Sequence, residues 1–461
     1  MTAQQLQKFL LNAGKHPLGI KPSGNFLFES GDEGFVDSRR IGLGSLHALS
    51  DELICQILYH LESRDLCNLA CTSKILYAWS HYDEFWKHLV ISHYPNFIWS
   101  GNCWRDAFAF NYAGAGYQTK KPTIKGRNIY SDFLFQPWLC SSMDIAEEWL
   151  TFENVDVVGP EFSPDEFIEK YEWKNIPVLI RGGVENWSAI KKWTCEYLID
   201  KYGGTTFTAE AIDTTLENYI HYAKAVREET PFYLFDKNFC EKCPDMSKDF
   251  EVPKYFNQDL FSLLGDSRPD HRWLIIGPVK SGSSFHKDPN ATSAWNATIM
   301  GRKKWMMLPP ETCPPGVYPS SDGSEVITPH SLMEWFINFY PSFSAYPDRK
   351  EFISRPGDLV FVPSGWWHSV INIDDINVAI TQNYVSDRNV DRVLNFLNHQ
   401  PQNISGICDE NYAFKMGFEF EKAYLEKFSE NHKQLRPAAQ CKNTTWREIT
   451  KDSDELFKFS F

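Results

Sequence analysis

GDLVFVPSGWWHSVIN, Gly357 to Asn372, is the stretch on which the fold turns. Its run LVFV and its later run HSVIN read as two short strands, with PSG between them as a turn. Gly357 permits a sharp entry to the first strand. Pro363 and Gly365 turn the chain so that His368 opens the next strand facing inward. Gly, five residues, Pro, one, Gly, two, His, three, Asn places five fixed positions over sixteen residues, a pattern hard to obtain by chance. Any one of the thirteen histidines, taken alone, would be read as packed or surface-exposed; His368 has a setting built around it.

Upstream, FHKDPNATSAWNATIMGRKKW supplies companions for His368. His286 and Asp288 are two apart, so on a strand both side chains leave by one face, and Lys287 between them points away. Two His and one carboxylate on one face of a divalent ion leave the opposite face open, as a non-haem Fe(II) oxygenase needs for its co-substrate and O2. Two hairpins are expected around this set. A turn at Met300-Gly301 would put Lys303 opposite Thr298, on the face of Asn296. A turn at Asp374-Asp375 would put His368 opposite Thr381. A buried lysine that is no metal ligand needs an anion, and a hydroxyl beside it is a second donor. An anionic co-substrate between metal and Lys303 is therefore expected.

FHKDPNATSAWNATIMGRKKW and FVPSGWWHSVINIDDINVAITQNY resemble the jumonji-C (JmjC) Fe(II)/2-oxoglutarate-dependent oxygenases, whose Gly-to-Asn spacing is the cupin pattern. The nearest branch is the one containing the bifunctional arginine demethylase and lysyl hydroxylase. The likeness runs from about Thr151 to Arg388 and takes in TPFYLFD (Thr230 to Asp236) and NIPVLIRGGVENWSA. It implies an α+β chain with a double-stranded β-helix, a jelly-roll of cupin type. It also implies Fe(II) on His286, Asp288 and His368 as the catalytic centre, and 2-oxoglutarate, used with O2, on Asn296, Lys303, Thr381 and Tyr233. A family threonine three residues before the first histidine is Ser283 here, which keeps the hydroxyl and loses the methyl. The reaction implied is hydroxylation of a carbon, or of an N-methyl group that then leaves as formaldehyde, on a protein or peptide substrate. The family also favours a nuclear location, with the cytoplasm as the alternative.

The N-terminal part has a different texture. Ile54, Ile57, Leu58 and Leu61 fall on one helical stripe, Asp65 is placed to cap a second helix with Leu66, Leu69 and Ala70, and DEFWKHLVISHYP makes a third that ends before Pro95. LSDELICQILYHLESRDLCNLACTSKILYAWSHYDEFWKHL resembles an F-box, the motif that docks on the Skp adaptor of cullin ubiquitin ligases, with Leu53 and Ile57 as contact residues; the usual Leu-Pro opening is Leu49-Ser50 here. The chain then divides into a tail at 1–45, an F-box-like module at 46–110, a linker at 111–150, the oxygenase at 151–388 and a helical region at 389–461. The basic run Lys120 to Arg127 reads as a solvated linker ahead of a nuclear-import patch. Cys240 and Cys243 form a C-x-x-C with no second ligand pair, and incidental cysteines are expected. The stripe Val390, Val393, Leu394, Leu397 and the aromatic-rich Tyr412 to Phe428 are helical, with core packing their default role.

Composition bounds the function. The chain has 461 residues, enough for two or three domains, and 43% hydrophobic and 15% aromatic residues exclude a disordered or fibrous protein. With 46 basic and 60 acidic residues the net charge is −14, which disfavours nucleic acid as the main ligand and is compatible with a basic protein segment. Eleven scattered cysteines and the lack of a signal-like start point to a reducing, intracellular setting, and no run of about 18 apolar residues is long enough for a membrane span. The expected function is a protein oxygenase acting on Arg or Lys side chains. The alternative is a ubiquitin-ligase substrate receptor whose barrel serves mainly for binding, and a third reading, a generic cupin isomerase, would give Lys303 and Thr381 no anion to hold.

Overall fold

A computed structural model describes residues 15–31, 34–114, 119 and 124–428. Among these, the part expected to be the oxygenase is a two-sheet sandwich. Its strands are β1 (Asp156–Val158), β2 (Val178–Ile180), β3 (Thr206–Ala209), β4 (Ile212–Thr215), β5 (Leu234–Asp236), β6 (Arg272–Pro278), β7 (Gly282–His286), β8 (Ser293–Met300), β9 (Lys303–Leu308), β10 (Lys350–Ser354), β11 (Leu359–Val362), β12 (Trp367–Asn372) and β13 (Ile376–Tyr384). A nine-stranded sheet runs β1-β2-β11-β8-β13-β6-β5-β3-β4, and a four-stranded sheet runs β10-β9-β12-β7.

Neither expected hairpin forms. β8 pairs with β11 and β13, while β9 pairs with β10 and β12, so the chain changes sheets at Gly301. Lys303 lies opposite Ser354 and Asn372, not Thr298. The chain changes sheets again between β12 and β13. His368 consequently lies opposite His286 and Met307, and Thr381 opposite Asn296 and Trp273. In a jelly-roll, consecutive strands feed alternate sheets, because each sheet can bury its apolar face only against the other. The expected face-sharing, Asn296 with Lys303 and Thr381 with His368, is therefore regrouped. Asn296 and Thr381 share the inner face of the large sheet, and Lys303, His368 and Asn372 share the inner face of the small one.

Between the sheets lies a cluster of Ala294, Val360 and Val362 from one side and Trp305, Met307, Phe352 and Val370 from the other. The outer face of the small sheet is covered by a helix, Leu332–Phe343, against which Phe285 packs through Trp335 and Phe343. Alternation along β7 thus sends Phe285 outward and His286 inward.

The N-terminal helices are α1 (Asp51–Tyr59), α2 (Ser63–Ala70), α3 (Lys74–Ser80), α4 (Asp83–His93) and α5 (Trp104–Ala113). On α1, Ile54 and Leu58 are buried, whereas Ile57 and Leu53 are 43% and 47% exposed. Ile57 therefore leaves the expected stripe, since the bundle is small and covers one side of α1 only. Glu62, not Asp65, occupies the N-cap of α2; Asp65 sits in the first turn, where its charge favours the helix N-terminus.

The described parts of the segments read as tail and linker contain packed elements. Ile20–Lys21 pairs in parallel with Ile129–Tyr130, and a further helix, α6 (Asp132–Ser142), buries Leu134, Phe135, Leu139 and Cys140. Leu18, Ile20 and Leu43 are buried too, because the small bundle cannot cover its own apolar faces. Lys120 to Thr123, in the basic run, lie outside the described residues, as does the C-terminal region beyond Phe428. Helices α7 (Val390–His399) and α8 (Ala413–Phe428) form a separate core with Leu260, Phe261 and Val385. No helix among the described residues is long and apolar enough to cross a membrane.

Candidate metal and co-substrate centre

His286, Asp288 and His368 come together, each offering one ligand atom, with those atoms within 4.8 Å of one another. Among the described residues no other group of three such side chains does so. His286 ends β7, His368 lies opposite it near the start of β12, and the imidazole centroids are 4.2 Å apart. The backbone orients both rings. His286 Nδ1 is 2.8 Å from the Ser284 carbonyl and His368 Nδ1 is 3.1 Å from the Trp366 carbonyl. Donation from Nδ1 leaves each Nε2 with a free lone pair for a metal. Burial, with His286 alongside, keeps His368 well below the usual imidazole range, and therefore neutral.

Asp288 follows β7 on a loop held from several sides. Asn290 donates to the Ser405 carbonyl at 3.0 Å and accepts from the Ser405 amide at 3.1 Å, while Ser364 Oγ donates to the Ala291 carbonyl at 2.6 Å. The C-terminal region thus braces the loop that carries a ligand. Burial pushes the Asp288 carboxyl up to about 6, and its Oδ2 is buried without a hydrogen-bond partner. A carboxylate in that position is satisfied by a cation, and two imidazoles with one carboxylate suit a divalent iron. Lys287 points away, as parity required, donating to the Pro310 carbonyl at 3.0 Å.

Of the residues expected to hold the co-substrate, Lys303 and Tyr233 are in contact. Lys303 is 1% exposed, and its ammonium donates to Asn372 Oδ1 at 3.0 Å and to the Tyr233 hydroxyl at 3.1 Å, both neutral partners. Burial pulls it down to about 7. Burial also pushes the Tyr233 hydroxyl up, so it stays a neutral phenol. Asn296 Oδ1 is buried and unpartnered. The Thr381 hydroxyl donates to the Trp295 carbonyl at 2.9 Å. Ser283 lies on β7 opposite Val370. An uncompensated cation among neutral hydrogen-bonding groups fits a small carboxylate ligand.

Two participants escaped the sequence reading. Asn372, there only as the last position of the spacing motif, accepts from Lys303 and donates to Ser281 Oγ at 2.9 Å. Gly277 is the other: a Cβ at this position would lie 2.3 Å from Ser281 Oγ and 2.5 Å from the Tyr233 ring, so its bareness makes room for both. Nothing local marks Gly277, because Tyr233 meets it only through strand pairing. Cys240 and Cys243 are both free, and their thiols are pushed up by burial, as unreactive packed cysteines are.

The cupin-like domain family matches residues 164–389, and the F-box domain family matches residues 46–88. The chain is 40% identical to the arginine-specific demethylase JMJ22 of Arabidopsis thaliana, over 98% of this chain and 91% of that protein. It is 36% identical to the bifunctional arginine demethylase and lysyl-hydroxylase psr-1 of Caenorhabditis elegans, over 52% of this chain and 62% of that one. With the 2-oxoglutarate and iron-dependent oxygenase JMJD4 of Mus musculus it shares 26% identity over 54% of this chain and 64% of the relative. A jelly-roll with two histidines and an aspartate at its centre, a buried lysine awaiting an anion, and a full-length relative converge: the chain belongs to the cupin-like JmjC family of iron- and 2-oxoglutarate-dependent dioxygenases and carries an F-box ahead of the oxygenase.

Proposed function

We propose that this dioxygenase acts on arginine or lysine side chains of a basic protein segment, with iron on His286, Asp288 and His368 and the far carboxylate of 2-oxoglutarate on Lys303. The observation that carries the reading is Lys303 itself, a buried ammonium with only an amide and a phenol to bind. Fe(II), when bound with 2-oxoglutarate and O2, supplies the oxidation of a substrate C–H bond. The protein's part is placement. The Ser284 and Trp366 carbonyls aim the two imidazoles, Asp288 contributes the negative ligand, and Lys303 fixes one end of the co-substrate. Asn296, Thr381, Tyr233 and Ser283 give it further hydrogen-bonding groups, and the apolar cluster between the sheets keeps water away. Arginine is supported by the near full-length match to a protein named as an arginine-specific demethylase.

Succinate release and mass spectrometry on methyl-arginine, methyl-lysine and unmodified basic peptides test this. Gain of one oxygen marks hydroxylation, and loss of one CH2 marks demethylation. His286→Ala is expected to drop succinate release to background; wild-type release by that variant would overturn the ligand assignment. Imaging of the tagged full-length chain tests the nuclear location expected from the resemblance.

A role as substrate receptor of a ubiquitin ligase is a second reading, compatible with the first. It is supported by the half-exposed Leu53 and Ile57, one turn apart on α1 within the matched F-box. Leu53→Asp and Ile57→Asp are expected to leave the fold intact and abolish retention of Skp adaptor in a pull-down. Equal retention by wild type and variants would remove this role.

A further inference from the structure

The F-box does not stand apart from the oxygenase. Lys87, on α4 and inside the matched F-box residues 46–88, is 8% exposed and reaches across to Glu228 at 3.1 Å. Glu228, itself 7% exposed, also accepts from Trp104 Nε1 at 2.9 Å and from the Tyr222 hydroxyl. That same hydroxyl accepts from the Phe232 backbone amide at 2.8 Å. One turn earlier on the helix Leu216–Ala225, the Tyr219 hydroxyl lies 2.8 Å from the Phe232 carbonyl and accepts from the Leu234 amide at 3.1 Å. The backbone on either side of Tyr233 is therefore clamped by two buried tyrosines. Lys87 also stacks over the Phe232 ring, 4.2 Å from its centroid.

We propose that Lys87, a residue of the F-box, is a positioning residue of the oxygenase: through Glu228 and Tyr222 it holds the Phe232–Leu234 backbone, and with it Tyr233 against Lys303. The two ends of this chain of contacts are a helix of the docking module and the phenol that meets the co-substrate lysine. Each link is a buried hydrogen bond or ion pair, and loss of one partner leaves the next group unpaired and free to shift. Removing Lys87 leaves Glu228 as a buried carboxylate without its cation, and Glu228 then has reason to turn toward water and release Tyr222. The inference rests on the co-substrate reading of Lys303 and Tyr233 given above.

The test uses the full-length chain loaded with Mn(II) and reads 2-oxoglutarate binding by calorimetry, alongside Mn(II) affinity and circular dichroism. Lys87→Met is expected to weaken 2-oxoglutarate binding on the order of tenfold with Mn(II) affinity unchanged. Lys87→Arg, which keeps the charge, is expected to restore most of it. Tyr222→Phe, the loss of one hydroxyl, should weaken 2-oxoglutarate similarly, and the pair should be no weaker than the worse single variant, since both cut one relay. Wild-type affinity in a folded Lys87→Met, or fully additive losses in the pair, would overturn the proposal. If Lys87→Met does not fold, Tyr222→Phe carries the test alone, and wild-type affinity there overturns it. Failure of the wild-type chain itself to bind 2-oxoglutarate would instead overturn the co-substrate reading beneath it.

Discussion

On the proposed reading, Lys303 trades stability for function. Its ammonium is desolvated among neutral groups, which costs the ligand-free fold and would be offset by the carboxylate of the co-substrate. Lys303→Met is expected to raise the stability of the ligand-free protein by about 1–3 kcal/mol and to lower 2-oxoglutarate affinity by about 100-fold or more. Denaturation and calorimetry read the two effects, and loss of both stability and affinity would mean that the residue is structural. The pH dependence has a definite sign. Lys303 is depressed from 10.5 to about 7 in the fold, so between these values the unfolded chain binds the extra proton. Stability of the ligand-free protein therefore rises with pH across that window, relative to Lys303→Met. Affinity for 2-oxoglutarate falls as pH climbs above about 7, because binding must then recharge the amine. His368 and its spacing partners were legible beforehand, since a turn motif is local. Asn372 was visible as a position but not as a partner of Lys303, because that contact needs the pairing of β9 with β12.

At the scale of elements, strand existence was readable and strand partnership was not. The run from Lys303 to Leu308 looks like one arm of a hairpin from its neighbours in sequence, yet it joins the other sheet. Gly277 on β6 is a consequence of the true pairing. β6 lies beside β5, and the ring of Tyr233, just ahead of β5, fills the space above Gly277. Gly277→Ala is expected to cost about 1–3 kcal/mol by overpacking and to weaken 2-oxoglutarate binding about tenfold. In a Tyr233→Ala background only the contact with Ser281 Oγ, 2.3 Å from the added methyl, remains, so the stability cost should be smaller. Thermal unfolding of the four proteins checks this, and an equal cost in both backgrounds would show that the Tyr233 ring is not what Gly277 accommodates.

For the whole molecule, the modules are joined by burial. Trp99 and Trp104, past the F-box helices, pack against Tyr222 and Phe232 of the oxygenase, and Asn218 bridges to the Trp99 amide at 2.7 Å. Lys280, on the turn into β7, donates to the Ser141 carbonyl at the end of α6 at 2.7 Å. Each large side chain uncovered by cutting this junction forfeits about 1.5–3 kcal/mol. A piece spanning 151–428 is accordingly expected to melt lower than the full chain and to bind a hydrophobic dye before unfolding. Equal melting and no dye binding would show that the oxygenase folds independently of what precedes it.

The sequence by itself determined the chemistry of this protein: the residue types, their spacing around tight turns, the alternation that sends His286 inward and Phe285 outward, and the helical character of the F-box. These are properties of a few neighbouring residues, set by turn geometry and by the period of strand and helix. Only the tertiary structure decided which strands share a sheet, that the described parts of the presumed tail and linker are packed, and that an F-box lysine reaches the clamp on Tyr233. Those outcomes depend on which apolar faces cover one another across long stretches of chain, and no local spacing records that.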